Sequence, residues 1–217
     1  MRIREYDFDL DDADPNGLFT VGAVAGAGAL TLDGDLIVDG KYKSIDGLGH
    51  KIDILNAGND AGITFTIVGK DQDGVAQTDI VAGGAGTPST EQSVVYFTEI
   101  ESITASGAAA GDVTIGTTDE VQSNIHPVDS YSDTQCLLAA NVTGTIDFDL
   151  QYTCQPILQE GIVPVWVQQT ATPDFTGQTA DVCGLLPLHI TAWKLVVNSY
   201  TNSAEIQVTR NQASNNR

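Results

Sequence analysis

The sequence is poor in positive charge. Lys and Arg together number 9 against 29 Asp and Glu, which gives a formal net charge of −20 over 217 residues. Such a surface repels phosphate backbones and anionic lipid headgroups, so we expect neither nucleic acid nor a membrane as a partner. The charge favours solubility or, as the alternative, a positively charged protein partner.

Long apolar runs are also missing. No stretch approaches the ~20 apolar residues that a membrane-spanning helix needs. The opening residues Met1–Glu5 are not followed by the apolar segment of a secretory signal. These two features predict a soluble protein that is made in a cytoplasm.

Cysteine is scarce, and its spacing is uninformative for metals. Cys136, Cys154 and Cys183 form no CxxC pair and match no usual zinc pattern. All three lie in apolar or strand-like contexts. This placement favours buried free thiols over a disulfide.

Signatures of catalysis are absent from the sequence. His50, His126 and His189 are far apart, and neither an HExxH nor a GxSxG motif occurs. The best metal candidate is Asp71–Gly74, whose Asp-x-Asp-Gly pattern can bind Ca²⁺, although a hairpin turn is the favoured interpretation. We therefore predict no catalytic residue, no metal site and no cofactor, and we do not expect an enzyme.

Alternation of apolar and polar residues dominates what is present. The segments Ile63–Val68 and Thr145–Tyr152 alternate with a period of two, and Gly-rich turns separate them from their neighbours. This period predicts half-buried strands and an all-β fold. The side chains predicted to be buried are Phe65, Ile67, Ile103, Phe148, Leu150 and Trp193.

The predicted organisation is two tandem small β-sandwich-like domains preceded by an extended N-terminal arm. Composition shifts suggest an arm over residues 1–30, a first domain over 31–120, a linker over 121–135 and a second domain over 136–217. The polar stretch between the domains is the basis for the linker.

A weak internal repeat accompanies this division. The matching pairs of segments are Ile63–Gly69 with Ile146–Tyr152, Ile100–Ile103 with Ile190–Trp193, and Asp112–Ile115 with Glu205–Val208. Their order is the same in both halves. A structural repeat and convergent β patterning both explain this similarity.

The predicted arm carries a cluster of aspartates around only two large apolar residues, Phe8 and Leu10, and a Gly/Ala stretch follows. Such a segment has little apolar surface to offset ~1–2 kcal/mol of backbone entropy per residue. We expect it to become ordered against a partner, with Phe8, Leu10, Asp11 and Asp12 as the partner-binding residues. The alternative is that it folds back as the first strand of its own domain.

Several segments together carry a family resemblance. Ile63–Ile80, the Gly-rich loop after it, Tyr96–Gly107 and Gly111–Gly116 resemble a recurrent β module of tailed-bacteriophage virion proteins. His126–Asp129 and Ile146–Tyr152 resemble the segment that follows that module. The similarity lies in the pattern of strand and turn residues and in the order of the segments, and it includes no catalytic motif.

The resemblance extends over roughly residues 60–210 and implies a non-enzymatic structural protein of the virion. The leading expectation is a capsid decoration or cement protein that binds the major capsid protein or other virion proteins in many copies or as a homo-oligomer. The alternatives are a neck, tail or fibre-associated protein and, from another class, a carbohydrate-binding module. Trp166 and Trp193 lie in apolar strand patterns typical of core packing, which disfavours sugar stacking.

Overall fold

The described residues form β-strands joined by turns and loops. The computed structural model describes residues 2–128, 136–157, 163–168, 170, 174–186, 189–201 and 204–212. The prediction of an all-β chain is confirmed, since no helix occurs in these ranges. Consequently none of them contains a helix long and apolar enough to span a membrane.

The strands of the described residues have the following bounds: β1 (Arg2–Asp9), β2 (Phe19–Ala23), β3 (Gly28–Ala29), β4 (Ile37–Val38), β5 (Lys41–Lys43), β6 (Gly49–Asn56), β7 (Thr64–Lys70), β8 (Ala76–Ala82), β9 (Ser89–Gln92), β10 (Glu99–Ala105), β11 (Asp112–Gln122), β12 (His126–Pro127), β13 (Cys136–Thr143), β14 (Ile146–Thr153), β15 (Val167–Gln168), β16 (Val182–Leu185), β17 (Ala192–Tyr200) and β18 (Glu205–Gln212).

The chain divides into two compact units, and one interrupts the other. Unit 1 comprises Met1–Asp12 and Ser123–Arg217, and unit 2 comprises Ala13–Gln122. The predicted arm, 1–30, is therefore divided between the two units instead of preceding both. Of the predicted linker, 121–135, residues 129–135 lie outside the described residues, and the remainder includes the end of β11 and all of β12.

Unit 2 contains two antiparallel sheets. In one, the order is β9-β6-β11-β2, and in the other it is β4-β5-β10-β7-β8, with β3 also paired to β10. Both sheets contribute apolar side chains to one buried cluster, which includes Ile52, Ile54, Phe65, Ile67, Ile103 and Ile115. Burial of this cluster is the main stabilising contribution in the unit.

Unit 1 is also built from two antiparallel sheets. Its first sheet has the order β1-β18-β13-β16, and its second has the order β12-β17-β14-β15. The inward-pointing residues of β18 and most of those of β13 are buried, as expected for a sheet with one solvated face. In the second sheet, β14 also buries Asp149, and Ala192–Val197 of β17 are buried on both faces.

The two units share one topology. Each strand of unit 1 has a counterpart in unit 2 with the same pairing partners, and every pairing is antiparallel in both units. The unit 1 strands are, in chain order, β1, β12, β13, β14, β15, β16, β17 and β18. Their counterparts in unit 2 are, in the same order, β2, β3, β6, β7, β8, β9, β10 and β11. The β4–β5 hairpin is an addition in unit 2. All three pairs of repeated segments fall on or overlap corresponding strands, so the repeat is present at the level of topology.

Most burial predictions are confirmed. Phe65, Ile67, Ile103, Phe148, Leu150 and Trp193 are each at most 1% exposed. All three cysteines are free thiols, but only Cys136 is buried. The predicted burial is wrong for Cys154, which follows the last residue of β14, and for Cys183, which lies on the edge strand β16.

Truncation of either buried phenylalanine tests the two cores. We expect Phe65→Ala in unit 2 and Phe148→Ala in unit 1 each to lower the free energy of unfolding by about 3–5 kcal/mol, because each leaves a cavity among apolar neighbours. Chemical denaturation measures the loss. Ile80→Ala is the matched control, since Ile80 is 64% exposed and its truncation should cost about 0.5 kcal/mol or less. Equal stability of wild type and both Phe variants would contradict the assignment.

Candidate protein-binding site

The N-terminal segment is a strand of unit 1. β1 pairs with β18 along its whole length, from Arg2 opposite Gln212 to Asp9 opposite Glu205. The Leu10 N–H continues the ladder by donating to the Ala204 carbonyl at 3.2 Å. Residues 2–9 thus adopt the alternative that the sequence left open, a first strand of their own domain, instead of an extended arm.

The residues predicted to bind a partner have different environments in this strand. Phe8 is half-buried, with its ring centroid 5.9 Å from that of His126, and Leu10 is only 3% exposed. The Asp11 carbonyl accepts a hydrogen bond from the Tyr200 hydroxyl, and Asp12 is exposed. Phe8 and Leu10 therefore pack inside unit 1, and the part that these four residues play in partner binding stays a prediction.

An aromatic cluster fixes the inner face of β1. The ring centroids of Tyr6 and His126 are 4.4 Å apart, and His126 stacks on Trp193 at 4.3 Å. The Tyr6 ring also meets Trp193 edge-on at 5.1 Å. The cluster has no local signature in the sequence, because its members are distant in the chain. The available signal was the alternation of Tyr6, Phe8 and Leu10 with acidic residues.

Burial controls the protonation of two groups beside this cluster. Burial lowers the pKa of His126 to about 4, and the Arg210 guanidinium adds to the effect, so the imidazole is neutral at pH 7. Arg210 donates to the Pro127 carbonyl at 2.5 Å. Burial likewise raises the pKa of the Cys136 thiol to about 11. A thiol that stays protonated is a poor nucleophile, so Cys136 is suited to packing.

The outer face of the same sheet is acidic and concave. A groove of about 280 Å³ lies over β1, β18 and β13. Its polar side chains are those of Asp7, Asp9, Asn141, Thr143, Glu205 and Gln207. The Gln207 amide donates to Asp7 Oδ1 at 2.8 Å. Among the described residues, no Lys or Arg forms an ion pair with Asp7, Asp9 or Glu205.

A buried His–carboxylate pair lies in unit 2. His50 Nε2 is 3.1 Å from Asp46 Oδ2, and both side chains are 3% exposed. Burial alone would raise the pKa of Asp46, but hydrogen bonds from His50, Ser44 and the Leu48 N–H outweigh it, and the pKa lies below its usual value. The Ser44 hydroxyl donates to the Asp46 carboxylate at 2.5 Å and not to the imidazole, so these contacts stabilise the carboxylate.

The Asp71–Gly74 segment forms the turn between β7 and β8. Asp71 Oδ1 accepts hydrogen bonds from the N–H groups of Asp73 at 2.9 Å and Val75 at 2.8 Å, and Gly74 has a positive φ of 77°. The carboxylate therefore stabilises the turn itself. In the part of the chain that the structure describes, no group of three or more His, Cys, Asp or Glu is arranged to bind a metal ion.

The low pKa of His126 predicts a loss of stability in acid. An unfolded histidine titrates near 6.5, so the unfolded chain takes up a proton at a pH where folded His126 does not. The free energy of unfolding should be unaffected by this group above pH 6.5 and fall by up to about 3 kcal/mol as the pH drops to 4. Comparing denaturation of wild type and His126→Phe across this range isolates the contribution, which the variant should lack.

The control is His189→Asn, which replaces a histidine at an exposed position whose φ of 67° Asn readily adopts, and it shows what the loss of a histidine elsewhere in unit 1 does to the same profile. Parallel pH profiles for wild type and His126→Phe would show that the imidazole titrates normally in the folded chain.

No protein-family model, curated protein or solved structure matches this chain in the three comparisons with known proteins. The basis for a functional proposal is therefore the geometry of the two units, the chemistry of their exposed edges and the resemblance carried by the sequence.

Proposed function

We propose that this chain is a non-enzymatic structural protein of a tailed-bacteriophage virion that docks onto other virion proteins. A decoration or cement protein on the capsid lattice is the leading role, and a neck, tail or fibre-associated protein is the alternative. The resemblance of residues 60–210 to virion β modules supports the class of particle, and the exposed edges support docking.

The observation that carries the proposal is the placement of exposed aliphatic side chains. Edge strands of both units present them to solvent: β1, β2, β4, β8, β15 and β16 carry Ile3, Val21, Val38, Ile80, Val167 and Leu185. Natural proteins usually protect edge strands with charge, proline or short length, because an open edge can pair with another chain. Strands β2 and β16 contain neither a charged residue nor a proline, so their exposed Val21 and Leu185 mark edges that are open to pairing with another protein.

The strip before and within β15 is the most apolar of these edges. Val163, Val165 and Val167 alternate with half-buried residues and are 88%, 62% and 43% exposed. Burying such a strip against a partner stabilises the complex by roughly 25 cal/mol for each Å² of apolar area. Weak contacts of this size add up when many copies bind a symmetric lattice.

The aromatic residues favour a protein partner over a sugar. Every described Trp, Tyr and Phe is buried or half-buried, whereas the exposed large apolar residues are all aliphatic. Trp193 is in the core, and the face of Trp166 is occupied by the Lys194 ammonium 4.7 Å above its ring. Sugar-binding modules stack their ligand on open aromatic faces, whereas no aromatic residue in the described part of the chain is in the exposed class.

Purified particles from the phage that encodes this chain provide the test. Quantitative mass spectrometry should find the chain in the particle, and its copy number separates the two roles. Hundreds of copies, in proportion to the major capsid protein, are expected for decoration, while about a dozen would identify a neck or tail component. A host-cell protein of similar abundance in the lysate is the control for carry-over. Absence of the chain from washed particles would contradict the proposal.

A further inference from the structure

The free edge of β1 presents backbone hydrogen-bonding groups to solvent. The bond from the Leu10 N–H to the Ala204 carbonyl fixes which residues of β1 face β18. Backbone groups of successive residues point to opposite sides of a strand. Those of the even-numbered residues consequently face β18, and the outward-facing N–H and C=O groups belong to Ile3, Glu5, Asp7 and Asp9.

This outward row is open in the part of the chain that the structure describes. β1 has a strand partner on one side only, and no described residue hydrogen-bonds the four outward backbone positions. The edge strand β8 provides a contrast. Its exposed Ile80 N–H donates to Asp79 Oδ1 at 2.8 Å, and Asp79 Oδ2 accepts from the Val94 N–H at 2.6 Å. A side chain thus occupies one outward N–H group of β8, whereas the outward groups of β1 are available for a further strand.

We propose that the β1 edge receives an extended segment of another protein as an added strand, and that this segment carries Lys or Arg at alternate positions. The inference rests on the proposed function as a docking protein and specifies where one contact is made and by what chemistry. Main-chain hydrogen bonds would supply affinity, and alternate side chains would supply specificity.

Charge on the outer face selects a basic strand. Residues opposite Glu5, Asp7 and Asp9 in an added strand would place their side chains on the same face as these exposed carboxylates. The groove of about 280 Å³ offers room for a long cationic side chain, and its three carboxylates are those of Asp7, Asp9 and Glu205. Charge-assisted hydrogen bonds from an ammonium or guanidinium group would then complete an acidic site that has no cation of its own among the described residues.

A second copy of this chain fits the edge poorly. Antiparallel pairing of two β1 edges would place Glu5 of one copy near Asp7 of the other, and like charges directly opposite destabilise a sheet. The net charge of −20 adds a general repulsion between copies. The intervening residues of the added strand would lie beside half-buried Phe8, so aliphatic side chains suit those positions.

A fluorescein-labelled peptide of alternating Lys and Val, nine residues long, is the probe for the full chain. Fluorescence anisotropy should show binding that weakens as NaCl is raised. Asp7→Asn with Asp9→Asn should weaken binding roughly tenfold, because two exposed charge pairs are lost. The matched control is Asp35→Asn with Asp112→Asn, which makes the same change in net charge at exposed sites of unit 2 and should leave affinity within about twofold.

Asp7→Pro tests the backbone separately from charge. Proline removes the outward N–H of Asp7 and spares the ladder to β18, as edge strands allow. The variant should bind the peptide at least about fivefold more weakly than Asp7→Asn. The melting temperature of Asp7→Pro shows whether this variant is folded. If it does not fold, the comparison between Asp7→Asn with Asp9→Asn and Asp35→Asn with Asp112→Asn tests the proposal instead.

The proposal is overturned if the peptide does not bind, if both double variants weaken binding equally, or if a peptide of the same composition with its Lys residues in one block binds equally well. These outcomes concern only the β1 edge, because the presence of the chain in particles is measured independently. If the chain is found in particles but does not bind the peptide, the proposed function stands and the proposed contact at the β1 edge is wrong.

Discussion

The pairing of the first strand with the last is the interaction on which unit 1 depends. Asp7 and Gln207, joined by a hydrogen bond across this pair, are 200 residues apart in sequence. The pairing covers one edge of β18 and brings Tyr6 onto His126 and Trp193. It also sets the acidic residues of β1 on the outer face. Core, groove and open edge therefore have one cause, the register between β1 and β18.

The shared topology shows how one arrangement of strands can carry different surfaces. β2 holds the same place in unit 2 that β1 holds in unit 1, because each pairs with the last strand of its unit. The sequence of β2, Phe19–Ala23, contains no acidic residue and exposes Val21. One edge is thus acidic and the other apolar, so the two units are suited to different neighbours. The topology is repeated while the chemistry of the edges is not.

The alternating segments could be predicted from sequence because their burial is local in origin. Phe65 and Ile67 on β7, and Phe148 and Leu150 on β14, follow the period of two, and their neighbours in the chain reveal which face is apolar. The N-terminal segment shows the same alternation in Tyr6, Phe8 and Leu10. Its composition nevertheless predicts an arm, because aspartates dominate it and because its partner strand lies at the other end of the sequence.

The candidate site depends still more on distant contacts. The neutral His126 results from packing against Tyr6 and Trp193, and the acidic groove results from three strands whose register no local pattern specifies. Likewise, burial of Cys136 and exposure of Cys183 follow from the positions of β13 and β16 within their sheet. Sequence patterns identify which face of a strand is apolar, whereas the neighbours of that strand are a property of the whole fold.

The insertion of unit 2 into unit 1 has a consequence for synthesis on the ribosome. All of unit 2 emerges before β12, so its sheets can form while unit 1 is represented by β1 alone. At a translation rate of about 5–20 residues per second, β18 is synthesised roughly 10–40 s after β1. Charged side chains disfavour pairing at a strand edge, so the acidic residues of β1 oppose its pairing with other nascent copies during that interval. The same carboxylates that border the groove in the finished protein thus protect its first strand while the chain is incomplete.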